Sequence, residues 1–371
     1  MRSRAIDILR LVAVLLVVCR HLEFPSVNAS YSVVGALDLL HRGGWIGVDL
    51  FFVLSGFLVS GLLFQEYSLH GRLSATRFLV RRGLKIYPPF WALMLFTLTI
   101  AAQFNAEFWG RFCAECVFLQ NYLPGIWNHT WSLAIEEHFY LLLLALLLVL
   151  SRTKKADPWK DLPIFCCCLS VICLFWRGWI ASTRPFDFPT HMFATHLRID
   201  SLFFGVTLAH YHLRYPQAAT ALSSRWRRAL LVVGILLLAP PFCWPIETTP
   251  LIVACGYTGL YLGSGLILVA ALSLEPPDRH PWKGLAFLGK HSYSIYLWHT
   301  PVLWFLIPLL QYHTGPWTGM VWPALLLEIA LVLTVGVAMS LLVEAPTIRI
   351  RDRWFPTRAR PLPADQSTDS K

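Results

Sequence analysis

Apolar residues in this chain neither alternate with polar ones nor recur once per helical turn; they run on in long blocks. About ten blocks can be drawn, over roughly 6–21, 45–65, 86–104, 131–151, 162–181, 197–213, 229–245, 250–274, 285–311 and 322–345. A hydrocarbon core about 30 Å thick needs about 20 helical residues to cross. Continuous apolar runs also exclude a β-barrel, whose strands alternate. The pattern predicts an all-α polytopic membrane protein with about ten transmembrane helices in one integral domain over 1–350. A polar tail over 351–371 follows, rich in Pro and Ser after about Phe355, and is expected to be disordered. Only Arg2 and Arg4 precede the first block and no small-residue cleavage site follows it, so it reads as a retained span. The segment 108–123 carries Arg111 and Glu115 and is short, which predicts a re-entrant or interfacial helix on the outer side. No internal repeat is visible, which weighs against a transporter built from inverted halves.

Composition supports this class. The 371 residues are 56% hydrophobic and only 14% charged, against about 25% charged in soluble domains. The net charge of +10 raises nucleic acid as a partner, but its distribution argues otherwise. With ten spans, 23 of the 31 Lys and Arg fall on loops of one parity, and only Arg42, Arg111, Arg184 and Arg198 on the other. By the positive-inside rule both termini are cytoplasmic, and the basic excess is a topology signal rather than a nucleic-acid footprint. The nine cysteines sit mostly in apolar runs, as buried small hydrophobes do. Cys113 and Cys116 form a lone CxxC that leaves a disulfide or metal role open; no metal site is otherwise indicated.

Charge inside the spans changes the picture. Such a group costs about 2.5–3.5 kcal/mol by insertion scales, so it normally faces a protein interior or a wet cavity. Arg10 and His21 are eleven residues apart, about 16 Å along a helix and about 20° in rotation. They share a face at different depths, too far apart to touch. An Asp7–Arg10 pair and a plain helix-end role for His21 fit the same spacing. Glu136 and Glu137 open the 131–151 span, which in this topology starts on the outer side at a depth similar to His21. Adjacent helical residues point about 100° apart, so one of the two is expected to face His21. A neutral histidine with a carboxylate partner is a general-base arrangement, although acids also suit a helix N-terminus. On the inner side Arg81, Arg82 and Lys85 share a helix face, a cluster that suits phosphates and equally suits positive-inside anchoring. Asp49, Glu137 and Arg198 are further in-span charges and candidates for substrate contact. The Ser55-Gly56 pair permits close packing or a local break. The run Gly289 to His299 is unusually polar for a span, fit either to line a cavity or to bond its neighbours.

Taken in order, these segments resemble the acyltransferase-3 family of multipass membrane acyltransferases, best known from bacterial O-antigen acetylases. The resemblance covers roughly residues 3–345. Arg10 and His21 match its Arg-x10-His, Gly47 to Leu58 its second-span motif, and Arg82-x-x-Lys85 its Arg-x-x-Arg position. Trp131 to Tyr140 matches Trp-Ser-Leu-x-x-Glu-Glu-x-Phe-Tyr, and Gly289 to His299 its usual late span. Lys85 replaces the usual Arg, which removes a bidentate contact but keeps the charge, and His138 stands where Gln is common. The family's further C-terminal hydrolase-like domain is not expected here. The resemblance implies a bacterial inner-membrane O-acyltransferase. It would move an acyl group, usually acetyl, from cytoplasmic acyl-CoA, with no tightly bound cofactor, to a hydroxyl of an extracytoplasmic carbohydrate. His21 would be the base and Glu136 its orienting group, toward the outside, with Arg81, Arg82 and Lys85 toward CoA inside and Arg10, on His21's face, a steering residue between the two groups. The alternative is a transporter or flippase for a lipid-linked sugar or small anion, with Arg, His and Glu as a proton relay.

Overall fold

The computed structural model describes residues 3–22, 31–101, 104–153, 157–315, 317 and 321–359; the expected disordered end beyond 359 lies outside them. Every regular element among the described residues is helical. The chain opens with α1 (Arg4–His21), α2 (Tyr31–Gly43), α3 (Gly47–His70), α4 (Ala75–Ile100) and the short α5 (Ala106–Cys116). It continues with α6 (Trp131–Ser151), α7 (Leu162–Thr183), α8 (Thr195–Arg214), α9 (Pro216–Arg225), α10 (Arg227–Leu238) and α11 (Pro240–Cys243). It ends with α12 (Tyr257–Leu272), α13 (Trp282–Lys290), α14 (Ser292–Pro301), α15 (Ile307–Thr314), α16 (Val321–Met339) and α17 (Ala345–Trp354).

Seven helical stretches among the described residues are long and apolar enough to cross a membrane, or eight if the bent α9–α10 pair is one span. The protein is therefore a multi-pass membrane protein. The expected count of ten is not reached by length and composition, and the shortfall has a physical reason. α1 carries Arg4, Asp7, Arg10 and Arg20, and α8 carries Arg198, Asp200 and several histidines, so neither looks apolar although both pack inside the bundle. One other expected span is broken. The 229–245 block divides into α10 and α11, whereas the 285–311 block still contributes a span over Ser292–Thr314 despite the wide π-type turns at Val302–Leu306 after Pro301. α5 has 11 residues, about 16 Å of helix and too little to span.

Two devices hold α8 at the centre. It crosses α3 glycine to glycine: a Cβ on Gly56 would lie 1.9 Å from the Leu202 carbonyl, and one on Gly205 2.3 Å from that of Val53. The Ser55-Gly56 pair thus serves close packing. Ion pairs then staple α8 on both sides. Arg198 meets Asp49 of α3 at 2.7 Å and Arg177 of α7 meets Asp200 at 2.9 Å, all four without solvent exposure. The Arg198 guanidinium lies 3.9 Å from the Tyr257 ring centroid and is further boxed by Trp45, Phe52 and Trp131.

The start of the expected tail, over 351–359, departs from expectation. Residues 351–359 do not open a loose tail: α17 runs to Trp354, and Arg77 of α4 donates two hydrogen bonds to the Pro356 carbonyl, at 2.7 and 3.1 Å. Arg81 donates to the Phe355 carbonyl and pairs with Asp352 at 3.2 Å.

Candidate active site

A cavity of about 1460 Å³ opens between α1, α3, α4, α6, α9, α14 and the last described residues. Its mouth carries Arg4, Arg77, Arg81, Arg351 and Arg358, on the side of the bundle where the basic loops lie, and its inner end is walled by Ser132, Glu136 and Tyr296. Of the residues anticipated from sequence, Arg10, Arg81, Arg82, Lys85, Glu136 and Glu137 line it. Asp49 and Arg198 do not reach it as substrate ligands: they are fully buried against each other.

The carboxylates are held by phenols and a serine. Tyr140, one turn after Glu136, donates to it at 2.7 Å, and Ser55 of α3 donates at 3.0 Å. Tyr87 of α4 donates to Glu137 at 3.0 Å. Arg82 lies 5.1 Å from the Tyr140 ring centroid, which brings its charge beside Glu136. The two prolines after Tyr87, at 88 and 89, interrupt the hydrogen-bond ladder of α4 next to this cluster. Tyr293 of α14 donates to the Ile86 carbonyl at 2.8 Å and ties the two helices there.

His21 was expected beside Glu136, but the structure gives each a different partner. The His21 ring lies against His299 with centroids 4.9 Å apart, and His299 lies 4.9 Å from His129. Tyr296 links this group to the cavity wall. Its ring is 5.5 Å from His299, and its hydroxyl donates to the His129 carbonyl and shares a 2.6 Å hydrogen bond with Ser132. The three histidines do not form a metal site, and no metal-binding group occurs among the described residues. All nine cysteines, Cys113 and Cys116 included, are free.

Backbone carbonyls select the imidazole tautomers. His21 Nδ1 faces the Val17 carbonyl at 2.9 Å and so carries the proton, leaving the Nε2 lone pair for other work. His129 Nε2 faces the Leu297 carbonyl at 3.1 Å, and its Nδ1 is buried without a partner. That carbonyl is available because Pro301, four residues on in α14, has no N–H to give it. His299 Nδ1 donates to the Tyr296 carbonyl, and Thr300 donates to its Nε2 at 3.1 Å.

Glu115 fixes the loop that delivers His129. Fully buried on α5, it accepts from the Ile126 and Trp127 amides at 3.0 and 2.7 Å and from the Thr130 hydroxyl at 3.1 Å. Burial, only partly offset by these bonds, pushes its carboxyl up to about 7.

Sequence reasoning missed the roles of Tyr140, Ser55, Tyr87 and His129. Only Tyr140 carried a local signal, its four-residue spacing from Glu136; the others meet their partners through tertiary contact.

Comparison with known proteins fits this architecture. The acyltransferase-3 family model, described as an acyltransferase domain, matches residues 3–343, and the chain belongs to that family. "Peptidoglycan O-acetyltransferase OatA" of Listeria monocytogenes is 27% identical over 338 residues, 83% of this chain and 50% of the relative. A Staphylococcus aureus protein named "Putative O-acetyltransferase" is 30% identical over 329 residues, 81% of this chain and 50% of the relative. The chain thus spans about half the length of the curated relatives it matches. No solved structure matches it.

Proposed function

We propose that the protein is a membrane O-acyltransferase that carries an acetyl group from acyl-CoA, bound at the basic face, to a hydroxyl of a cell-surface carbohydrate presented from the opposite side. The observation that carries this reading is the cavity itself. It is cationic at the mouth, walled by Glu136 and Tyr296 at its inner end, and separated from His21 by a few aromatic rings. The names of the relatives support an acetyl donor and a glycan acceptor. With the basic face in the cytoplasm, donor and acceptor approach from opposite compartments.

In this mechanism Arg82 and Lys85 hold the anionic donor by charge-assisted contacts. Arg10, on the cavity wall, steers the acyl end inward. His21 Nε2 takes the proton of the acceptor hydroxyl, whose oxygen attacks the thioester carbonyl. The C–S bond breaks, an ester forms, and the proton ends on the departing thiolate. General-base assistance of this kind contributes about 10²–10⁴ in rate.

The test is label transfer from [acetyl-¹⁴C]acetyl-CoA by membranes holding wild type or His21→Ala at equal levels. Saponifiable label in surface carbohydrate with wild type alone supports the reading. Equal label with the variant removes His21 as base. No label with either removes the acetyl-CoA donor.

A further inference from the structure

Two arginines of the basic cluster do not face open solution. Arg77 and Arg81 are taken up by the Pro356 and Phe355 carbonyls and by Asp352. Three guanidinium–carbonyl bonds and an ion pair are more than a loose tail needs. They turn the segment 351–359 back over the cavity. Arg351, Thr357, Arg358 and Ala359 line it, and Ala359 is only 8% exposed. Arg351 pairs with Asp352 at 2.8 Å, whereas Arg358 is exposed on the cavity wall.

We infer that the segment 351–359 is a built wall of the donor site, and that Arg358 on it binds the phosphorylated nucleotide end of acyl-CoA. This rests on the donor reading above. An acyl-CoA whose thioester reaches Ser132 and Glu136 at the inner end leaves its nucleotide, the most anionic part, at the mouth. The guanidinium of Arg358 stands at that mouth, and the fork geometry of Arg matches phosphate oxygens. Arg77 and Arg81 then act as positioning residues: they hold the wall rather than the ligand. The cationic cluster read from sequence divides into a ligand-facing half, Arg82 and Lys85, and a latching half, Arg77 and Arg81.

The experiment compares acetyl-CoA with acetyl-pantetheine, which has the thioester arm but no phosphate or nucleotide, on the full chain. The readout is the ratio of kcat/KM for the two donors. Arg358→Glu should lower this ratio about tenfold, the scale of one charge-assisted contact, and Arg358→Lys should restore part of it. Arg77→Ala combined with Arg81→Ala should lower it too, because the wall is no longer held. Turnover of acetyl-pantetheine by the same preparations reports that the bundle is folded. A ratio unmoved by Arg358→Glu overturns the inference while leaving the donor site intact. A fall in both donors together makes the segment a scaffold and also overturns it. A wild type that turns over acetyl-pantetheine but gains nothing from the nucleotide overturns it as well. A wild type inert with acetyl-CoA overturns the donor reading first.

Discussion

The ring of His21 stands 4.9 Å from the ring of His299, the two planes inclined at 66°. The proposed base is therefore packed against another imidazole and held by the Val17 carbonyl, with no carboxylate bonded to it among the described residues. Glu136 belongs to another cluster, with Ser55, Tyr140 and Arg82. His21→Ala should lower kcat by about 100-fold or more. Glu136→Gln should act on the donor side, changing KM for acyl-CoA, and leave the midpoint of the kcat–pH profile in place. Steady-state kinetics across pH decide it; a midpoint displaced by Glu136→Gln would return that carboxylate to His21.

Asp49 and Arg198 form a pair with no route to substrate. Removing one partner leaves a buried charge alone, which costs about 3–5 kcal/mol, whereas replacing both with apolar residues of similar size is often neutral. Asp49→Leu and Arg198→Met should each lower the melting temperature in detergent, and the double variant should recover most of the loss and retain turnover. A double variant as unstable as the sum of the singles would contradict a simple structural pair.

Glu115 makes stability depend on pH with a definite sign. Its carboxyl is raised from 4.5 to about 7 in the folded protein. Between these values the folded state binds the extra proton, so stability is fully present below 4.5 and falls as pH rises through about 7. The slope is at most about 1.4 kcal/mol per pH unit. Glu115→Gln should flatten that slope in thermal unfolding measured from pH 4.5 to 7.5. An unchanged slope assigns the effect to another group.

Arg82 is the cavity cation nearest Glu136 that the sequence had marked for phosphate. Arg82→Ala should raise KM for acyl-CoA, and the difference from wild type should shrink as salt rises, because mobile ions screen the contact. Donor titrations at 20 and 300 mM salt test it; parallel shifts at both would point to a packing role against Tyr140.

Some of this was legible in the chain and some was not, for physical reasons. Long apolar runs gave the helical membrane class, and the in-span charges marked the interior helices α1 and α8. The same charges hid those helices from a purely apolar criterion. Arg10, Glu136, Arg82 and Lys85, marked as candidates by their charge within or beside apolar runs, all line the cavity, but the expected meeting of a glutamate with His21 does not occur. What failed were pairings across distance. Asp49 meets a residue 149 positions away, and nothing in either local sequence distinguishes a buried ion pair from a substrate contact. The latch on 351–359 uses main-chain carbonyls as acceptors, which every residue possesses, so a polar stretch read as tail was in fact wall.

Pro301 gives this site a control that lies in an atom group it lacks. Since it offers no amide hydrogen to Leu297, that oxygen is left to His129, and the proton of a histidine 168 positions earlier in the chain is parked on Nε2. Restoring the amide with Pro301→Ala would give that oxygen a second, main-chain donor beside His129 and weaken its hold on the imidazole. A residue usually credited with bending helices here leaves a main-chain acceptor open, and the tautomer of the imidazole beside His299 is set from the backbone of α14.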